Sequence, residues 1–441
     1  MQSTATYTDT IGDQLQSLLQ TLFNDVSIFL TEDPVTGELS CVSEEKDSAA
    51  ALEQQSAIQL WTALLQEKGT VEQLIGYCHE ELYATEQALI LARKQLLEAV
   101  RPIETGYRSA AMFFENAGEQ EVTHAVFMNA SLEQLSDADN VSFLQAVSKE
   151  FIDKYDRLDL SDNYSMLVIP GYLGSTAAVD RWAKVAHASK VMLITDFANL
   201  DKPDDVMELF DEAGLTGPDV FRSNVIMTCN WLVGRGRYTI YGEEEHLYIP
   251  PSAALAGRLY KTVMSQVVAG RRFGIIHDAR GVRFPLRKEE VAGLEKLGLI
   301  PMVKEQNQII AFSARTLFTG ENLGLQTYSV VRVFDYVIKV LMDYLNRKSF
   351  ENFNSRTRKE LNAEIVRFLD NVTGAGKLIE NFSIRRFEQD PARKDRVYLD
   401  IHLTPYFPAK TFLLKLEGHK EKESQEKTDW TSRYQQEAAF A

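Results

Sequence analysis

The fold is decided by the stretch SMLVIPGYLGSTAAVDRWAKVAHASKVMLITDF, residues 165–197. It reads as an apolar strand, a glycine-containing turn, an amphipathic helix and a second apolar strand. Continuous apolar strands are typical of a parallel sheet that is covered on both faces, and a helix is the usual crossover between them. The run NVIMTCNWLV, residues 224–233, predicts a further strand of the same sheet. We therefore expect an α/β core.

The segment before this core predicts helices. Apolar residues recur at the i, i+3, i+4 and i+7 spacing of an amphipathic helix between residues 8 and 30. They include Ile11, Leu15, Leu18, Leu22 and Phe29. Two more helical stretches cover about residues 48–68 and 71–100, and the second should end before Pro102. Residues 111–127 then predict a hairpin that turns at Asn116–Gly118.

The segment after the core predicts a strand, two helices and a ribbon. The strand covers residues 308–318, and the helices cover 329–347 and 351–372, with Gly374 and Gly376 ending the second. The ribbon DRVYLDIHLTPYFPAKTFLLKLEG, residues 395–418, has two alternating runs around Pro405 and Pro408. Their apolar positions are Val397, Leu399, Ile401, Leu403, Phe412, Leu414 and Leu416. This face could pack on its own domain or pair with another chain. Residues 419–441 predict disorder.

Composition restricts the class of protein. With 441 residues, of which 45% are hydrophobic and 25% charged, the chain is long enough for two or three domains. No apolar run could span a membrane, and the first residues lack the pattern of a secretory signal, so we expect a cytoplasmic protein without membrane insertion. The three cysteines are widely spaced, which disfavours disulfides or a zinc site. A net charge of −16 disfavours nucleic acid as a partner.

Motifs for chemistry are weak. The loop Gly171–Thr176, followed by Asp196 at the end of the next strand, could bind a nucleotide phosphate, but its departure from G-x-G-x-x-G favours a structural turn. The run NVTGAGKLI, residues 371–379, lacks the Ser or Thr of a phosphate loop. His277–Asp278 has no further ligands for a metal, and GEEEHLY, residues 242–248, predicts a solvated turn. No G-x-S-x-G elbow surrounds Ser175 or Ser252. We expect no catalytic residue, cofactor or metal.

Three other stretches together resemble the contractile tail-sheath superfamily. The corner PPSAALAG begins at Pro250, Pro251 and Ser252, and the strand IIAFSARTLF contains Arg315 and Thr316. The helix with Arg332 and the step with Phe350 and Asn354 complete the pattern. The ending LTPYFPAKTFLLKL is similar to the strand pair that closes the large sheath subunit of the type VI secretion system, the TssC/VipB family. The family's usual N-terminal signature is missing, which indicates a divergent member.

The resemblance implies a structural protein with a tail-sheath-like α/β core, in a mixed α+β chain. Copies would pair with a TssB/VipA-like small subunit and stack helically around an Hcp-like inner tube above a baseplate, then contract. The ribbon residues would form an inter-subunit strand arm, and a ClpV-type ATPase would grip a segment of the large subunit. The helix from Ile11 to Phe29 is the candidate segment because it is amphipathic; the alternative, which this pattern favours, is that it packs within its own chain or on a constant partner. The expected divisions are 1–104, 105–385, 386–418 and 419–441. A self-assembling phage-tail-like sheath and an α/β nucleotide-binding enzyme remain as alternatives.

Overall fold

The computed structural model describes residues 70–118, 125–136, 141–155 and 163–410, together with short stretches nearer the two ends of the chain. The chain divides into two compact units, residues 1–96 and 97–441. In the first unit, β1 (Ile28–Glu32) pairs antiparallel with β2 (Leu39–Ser43). A helix through Phe29 is therefore wrong at its end, because Phe29 pairs with Val42 in this hairpin. The predicted helical positions Ile11, Leu15, Leu18 and Leu22 lie outside the described residues.

The longest helix, α1 (Val71–Ala117), contradicts two predictions. It continues through Pro102, although a proline inside a helix removes a hydrogen bond and costs about 3 kcal/mol. Ion pairs of Arg101 with Glu243 and of Glu104 with Arg235, all within the second unit, stabilise this part of the helix. The predicted hairpin at Asn116–Gly118 is also absent, because Asn116 is helical and α1 ends at Gly118, which has a φ of 77°.

The α/β core predicted from residues 165–197 is confirmed. After α2 (Leu132–Ser136) and α3 (Val141–Tyr155), β3 (Met166–Ile169), α4 (Thr176–Ala188) and β4 (Met192–Asp196) form the parallel unit. The helix α5 (Pro203–Ala213) leads to β5 (Val225–Cys229), which pairs parallel to β4. Trp182 in α4 and Phe210 in α5 are fully buried against this sheet.

The chain then forms a smaller sheet and completes the main one. The following elements are β6 (Leu232–Arg235), β7 (Leu247–Ile249), α6 (Ser252–Lys261), α7 (Gly270–Phe273), β8 (Ile275–Ile276), β9 (Gly281–Val282), α8 (Lys288–Lys296), β10 (Leu299–Glu305) and β11 (Gln308–Ala311). The main sheet has the order β3-β4-β5-β10-β11-β8, and the smaller one has the order β7-β6-β9. In the main sheet β3, β4, β5 and β10 pair parallel, and β11 runs antiparallel to both of its neighbours, β10 and β8. The result is a mixed α+β architecture.

The C-terminal part has a core of its own. It contains α9 (Tyr328–Arg347), α10 (Ser355–Val372), β12 (Ile379–Gln389) and β13 (Val397–Pro405). Both helices match the prediction, and apolar residues from all four elements form one cluster. Beyond them, β14 (Phe412–Leu414), β15 (Glu417–His419), β16 (Asp429–Thr431) and β17 (Gln435–Glu437) are short paired strands. These strands contradict the predicted disorder where they lie within residues 419–441.

In the part of the chain that the structure describes, no helix is long and apolar enough to cross a membrane. The predicted divisions at residues 104, 385 and 418 remain a proposal. The strand β12 runs continuously across position 385.

Candidate functional site

The loop Gly171–Thr176, the candidate nucleotide site, is occupied by a carboxylate of the same chain. Asp196 is fully buried at the carboxyl end of β4. Its side chain accepts hydrogen bonds from the Gly171 N–H at 2.8 Å and from the N–H and Oγ of Ser252 at 2.8 and 2.5 Å. The Thr228 hydroxyl donates to it as well. The Gly171 N–H, one of the amide donors that an external phosphate would need, therefore already has an anionic partner, which favours a structural turn.

Asp196 also gives a pH-dependent prediction. Burial raises the pKa of this carboxyl from 3.8 to about 6, although the bonds from Gly171, Ser252 and Thr228 act in the opposite direction. A raised pKa in the folded state adds stability that is present below the ordinary pKa and is lost as the pH rises through about 6. We expect Asp196→Asn to cost about 2 kcal/mol at pH 7, because an amide cannot accept from all these donors.

The difference between wild type and Asp196→Asn should widen on the order of 2 kcal/mol as the pH falls from 7 to 4, since only the wild type gains the protonated form. Urea unfolding of both proteins across this pH range measures it. Stability curves that stay parallel would contradict the assignment of Asp196.

The Pro-Pro-Ser corner, whose Ser252 bonds Asp196, allows two helices to pack closely. It starts α6, where the Leu255 N–H donates to the Pro251 carbonyl at 2.9 Å, and its alanines are buried. A Cβ added to Gly257 would lie 2.2 Å from the Phe113 carbonyl oxygen in α1. The small residues of PPSAALAG thus allow α6 to approach the backbone of α1 closely.

We expect Gly257→Ala to destabilise the protein by about 2 to 3 kcal/mol, because the added methyl would overlap backbone that cannot move independently. Gly236→Ala is the matched control, since a Cβ there meets nothing within 4 Å. Thermal melting should show a large decrease for the first variant and almost none for the second. Equal melting temperatures would refute the proposed close approach of the two helices.

The strand predicted for residues 308–318 ends earlier, at Ala311. The segment around Arg315 and Thr316 forms hydrogen bonds with the loop that precedes α9. The Thr316 hydroxyl donates to the Leu325 carbonyl at 2.7 Å, and the Arg315 side chain donates to the Gln326 side chain. These contacts replace the ladder of a strand and lead into α9. The signature residues of this segment therefore connect β11 to the next helix.

Arg332 connects its own helix, α9, to α6, the helix that begins at the Pro-Pro-Ser corner. It is 7% exposed, and its Nη2 donates to the Leu259 carbonyl of α6 at 3.3 Å. Burial lowers the pKa of Arg332 to about 10, while Tyr328 acts against that shift. Asn354 caps α10 by accepting from the N–H groups of Arg356 and Thr357, both at 2.9 Å. Phe350, in contrast, contributes nothing to the core and is fully exposed.

The residues of the other candidate motifs form hydrogen bonds within the chain that stabilise turns and helix contacts. The backbone of His277 exchanges hydrogen bonds with the buried Asn116 at 2.8 and 3.2 Å. Gly374 and Gly376 have φ angles of 123° and 77°, and the Lys377 Nζ lies 3.4 Å from the Asp370 carbonyl, so the GK pair belongs to the turn after α10. Among the described residues, no cluster of His, Cys, Asp and Glu could hold a metal ion.

The acidic turn at residues 242–248 is only partly solvated, which corrects the prediction. The Glu243 side chain is 6% exposed and bonds Arg235 at 2.6 Å and Arg101 at 3.0 Å. Arg235 is itself 3% exposed, and it also bonds Glu104 of α1 at 2.9 Å. Burial alone would raise the pKa of both glutamates, but the bonds from Arg235 outweigh it and lower each pKa. The sequence carries no periodic signal for these pairs, because the partners lie far apart in the chain.

The first run of the ribbon pairs with a strand that the sequence did not reveal. β13 pairs antiparallel with β12. Register shifts after Ile379 and Ile384 insert extra residues into β12, and they hide its alternation. The second run lies elsewhere: Phe412 and Leu414 belong to β14, which pairs with β17, and Leu416 lies outside the described residues.

One face of the ribbon is partly buried against the C-terminal core, and the edges of its two-stranded sheet are open. Leu399, Ile401 and Leu403 are half-buried against the C-terminal core, whereas Val397 is 42% exposed. Within the described residues, the sheet consists of β12 and β13 only. Each strand therefore has one outer edge that no described strand pairs, and such an edge can accept a strand from another chain.

A second open surface lies on α1 in the first unit. Every residue from 79 to 93 is exposed, so this helix has no packed face there. Apolar side chains nevertheless recur at every seventh position, and we call Ile75, Leu82, Leu89 and Leu96 the heptad stripe. They are 50%, 57%, 46% and 64% exposed. A seven-residue apolar repeat is typical of helices that pack on another helix.

Comparisons with known proteins agree with this architecture. The chain matches the family model described as type VI secretion system TssC/VipB, central domain, over residues 95–319, and the TssC/VipB-like C-terminal domain over residues 327–436. A search of curated proteins gave no match.

Solved structures share the fold at low identity. The contracted helical sheath of the anti-feeding prophage is 17% identical, with a TM-score of 0.51, covering 73% of this chain and 82% of that one. A chain of the anti-feeding prophage baseplate is 17% identical, with a TM-score of 0.50 and coverages of 72% and 80%. The contracted PVC sheath complex, from an extracellular contractile injection system, is 14% identical, with a TM-score of 0.44 and coverages of 69% and 96%.

The fold and the matched domains define a structural subunit of a contractile injection-system sheath. Within that class, the chain belongs to the TssC/VipB family of the type VI secretion system, because the central-domain model alone matches more than half of its length.

Proposed function

We propose that this chain assembles with a TssB/VipA-like small subunit into a helical tubule, which surrounds an inner tube and contracts to propel it. The observation that carries the proposal is the heptad stripe, on a helix whose residues 79–93 are all exposed. Most helical stability in proteins comes from packing of an apolar face, so we expect the exposed segment to pack on a partner helix. An amphipathic helix of the small subunit fits this surface.

The strand edges supply the second type of contact. A donated strand would extend the β12–β13 sheet through main-chain hydrogen bonds, which hold neighbours together while their cores rotate. In this proposal Val397, Leu399, Ile401 and Leu403 form the receiving ribbon, and Phe412, Leu414 and Leu416 belong to the arm that leaves it. Further copies related by a heterologous, non-closing contact generate the helix.

The remaining partners follow from the family. They are an Hcp-like inner tube, a baseplate and a ClpV-type ATPase that recycles contracted sheath, in the bacterial cytoplasm. The segment with Ile11, Leu15, Leu18 and Leu22, for which the sequence predicts an amphipathic helix, is the candidate ATPase signal, and deletion of residues 1–27 tests it by its effect on recycling. The role is structural and not catalytic, which agrees with the internal partner of the Gly171–Thr176 loop.

Coexpression with the candidate small subunit tests the proposal. We expect negative-stain microscopy to show long tubules from the two proteins together and none from this chain alone. Tubules from the chain alone would favour the self-assembling phage-tail-like alternative. A small particle whose melting temperature rises with nucleotide would favour the α/β enzyme.

A further inference from the structure

The turn between α9 and α10 presents a strained and fully exposed aromatic residue. Phe350 has a φ of 70°, and its relative exposure is 106%. A bulky side chain in the left-handed region is an outlier, and glycine adopts the same backbone without the steric cost. Because the ring is surrounded by solvent, it makes no packing contacts that would offset the cost of the strained backbone. Glycine at this position would therefore make the isolated subunit more stable than phenylalanine does.

The neighbouring contacts hold this turn in one place. Asn354 caps the start of α10, and Lys348 and Glu351 form an ion pair at 3.5 Å across Phe350. Phe353 packs edge-on against Phe387 of β12 at a ring distance of 5.6 Å. The turn therefore stands beside the open β12–β13 ribbon, and these contacts hold the backbone that carries the exposed ring. Aromatic side chains are typical anchors of protein interfaces.

Charge indicates which partner the ring meets. Residues 343–360 contain five basic and three acidic residues, and the three acidic ones form ion pairs with Arg347, Lys348 and Arg356. Arg358 and Lys359 give this turn a net positive charge, whereas the whole chain has a net charge of −16. A basic turn on an acidic chain is electrostatically complementary to the surface of another copy of that chain. The same turn adjoins the ribbon edges, where the proposed function already places contacts between neighbours.

We propose that Phe350 is an anchor residue of the contact between two copies of this chain, and that its ring enters an apolar site on the adjacent copy beside the β12–β13 ribbon. This inference rests on the proposed function. It also explains why a strained phenylalanine stands where the fold alone favours glycine.

Photo-crosslinking identifies the partner directly. A benzophenone amino acid replaces Phe350 in the full-length chain, which is coexpressed with the small subunit, and the assembled material is irradiated. We expect a crosslinked dimer of this chain, whereas the same probe at Leu209, an exposed residue of α5, should give at least tenfold less of that dimer. A crosslink to the small subunit or to the inner tube, or no crosslink in assembled tubules, would overturn the inference.

Substitution by glycine separates assembly from folding. Phe350→Gly should keep or raise the melting temperature, because it removes the backbone strain, but should reduce the yield of tubules at least tenfold. If the wild type forms tubules and Phe350→Gly forms them equally well, the inference fails while the proposed function stands. If the wild type forms none with the small subunit, the proposed function fails and this inference fails with it.

Discussion

Replacing Leu82 and Leu89 by glutamate should abolish binding of the small subunit while leaving this chain folded. Both side chains are exposed in the isolated chain, so the substitution removes no internal packing. In the proposed complex they are buried against a partner helix, where each leucine contributes about 1.5 to 3 kcal/mol. A buried, unpaired carboxylate adds a further penalty. The combined loss of about 4 kcal/mol or more corresponds to roughly a thousandfold weaker binding.

The matched control places the same charges on the opposite face of the same helix. Ala84→Glu with Gln87→Glu adds two carboxylates at exposed positions outside the heptad stripe. Copurification with a tagged small subunit should fail for the stripe variant and succeed for the control. If both variants bind like the wild type, the stripe is not the docking surface; if both fail, the effect comes from charge alone and the stripe is again not required.

The second large effect is expected at Arg235. Its side chain is 3% exposed and bonds Glu104 and Glu243 at 2.9 and 2.6 Å, with Tyr238 stacked at 4.3 Å from the guanidinium. Arg235→Met would leave two partly buried carboxylates without their main partner. Removing one member of a buried ion pair typically costs about 3 to 5 kcal/mol. The loss should appear as a decrease in the free energy of unfolding at pH 7, where both glutamates are ionised.

Two further variants identify the cause. Arg237→Met changes an exposed arginine on the same loop, whose Nη1 bonds the Glu244 carbonyl at 3.0 Å, and should cost less than about 0.5 kcal/mol. Adding Glu243→Gln to Arg235→Met should recover part of the stability, because one uncompensated charge is removed. A double variant that is less stable than Arg235→Met would show that charge burial is not the reason.

Local patterns determined how much of the fold could be predicted. The strands and the helix of residues 165–197 follow from their apolar runs, because these elements pack into one core in which every residue of β4 is buried. The strand β12 was missed because its register shifts alter the spacing of Ile379, Phe382, Ile384 and Phe387. The passage of α1 through Pro102 was missed because distant ion partners stabilise it.

For the candidate site, the sequence identified individual residues but not the distant residues with which they form bonds. Asp196 and the loop at Gly171 were both recognised, and yet the sequence could not show that they bond to each other or to Ser252. Glu243 was assigned to solvent because its neighbours in sequence are acidic, whereas its partners Arg101 and Arg235 come from other elements. The heptad stripe was readable as a seven-residue repeat, but only the structure shows that no described residue covers it.

A cryo-electron microscopy reconstruction of tubules formed by this chain and the small subunit tests the central claim most directly. We expect the α/β core to form the tubule wall and a helix of the small subunit to lie across Ile75, Leu82, Leu89 and Leu96. A tubule wall in which these four side chains still face solvent, or a wall built without this chain, would contradict it.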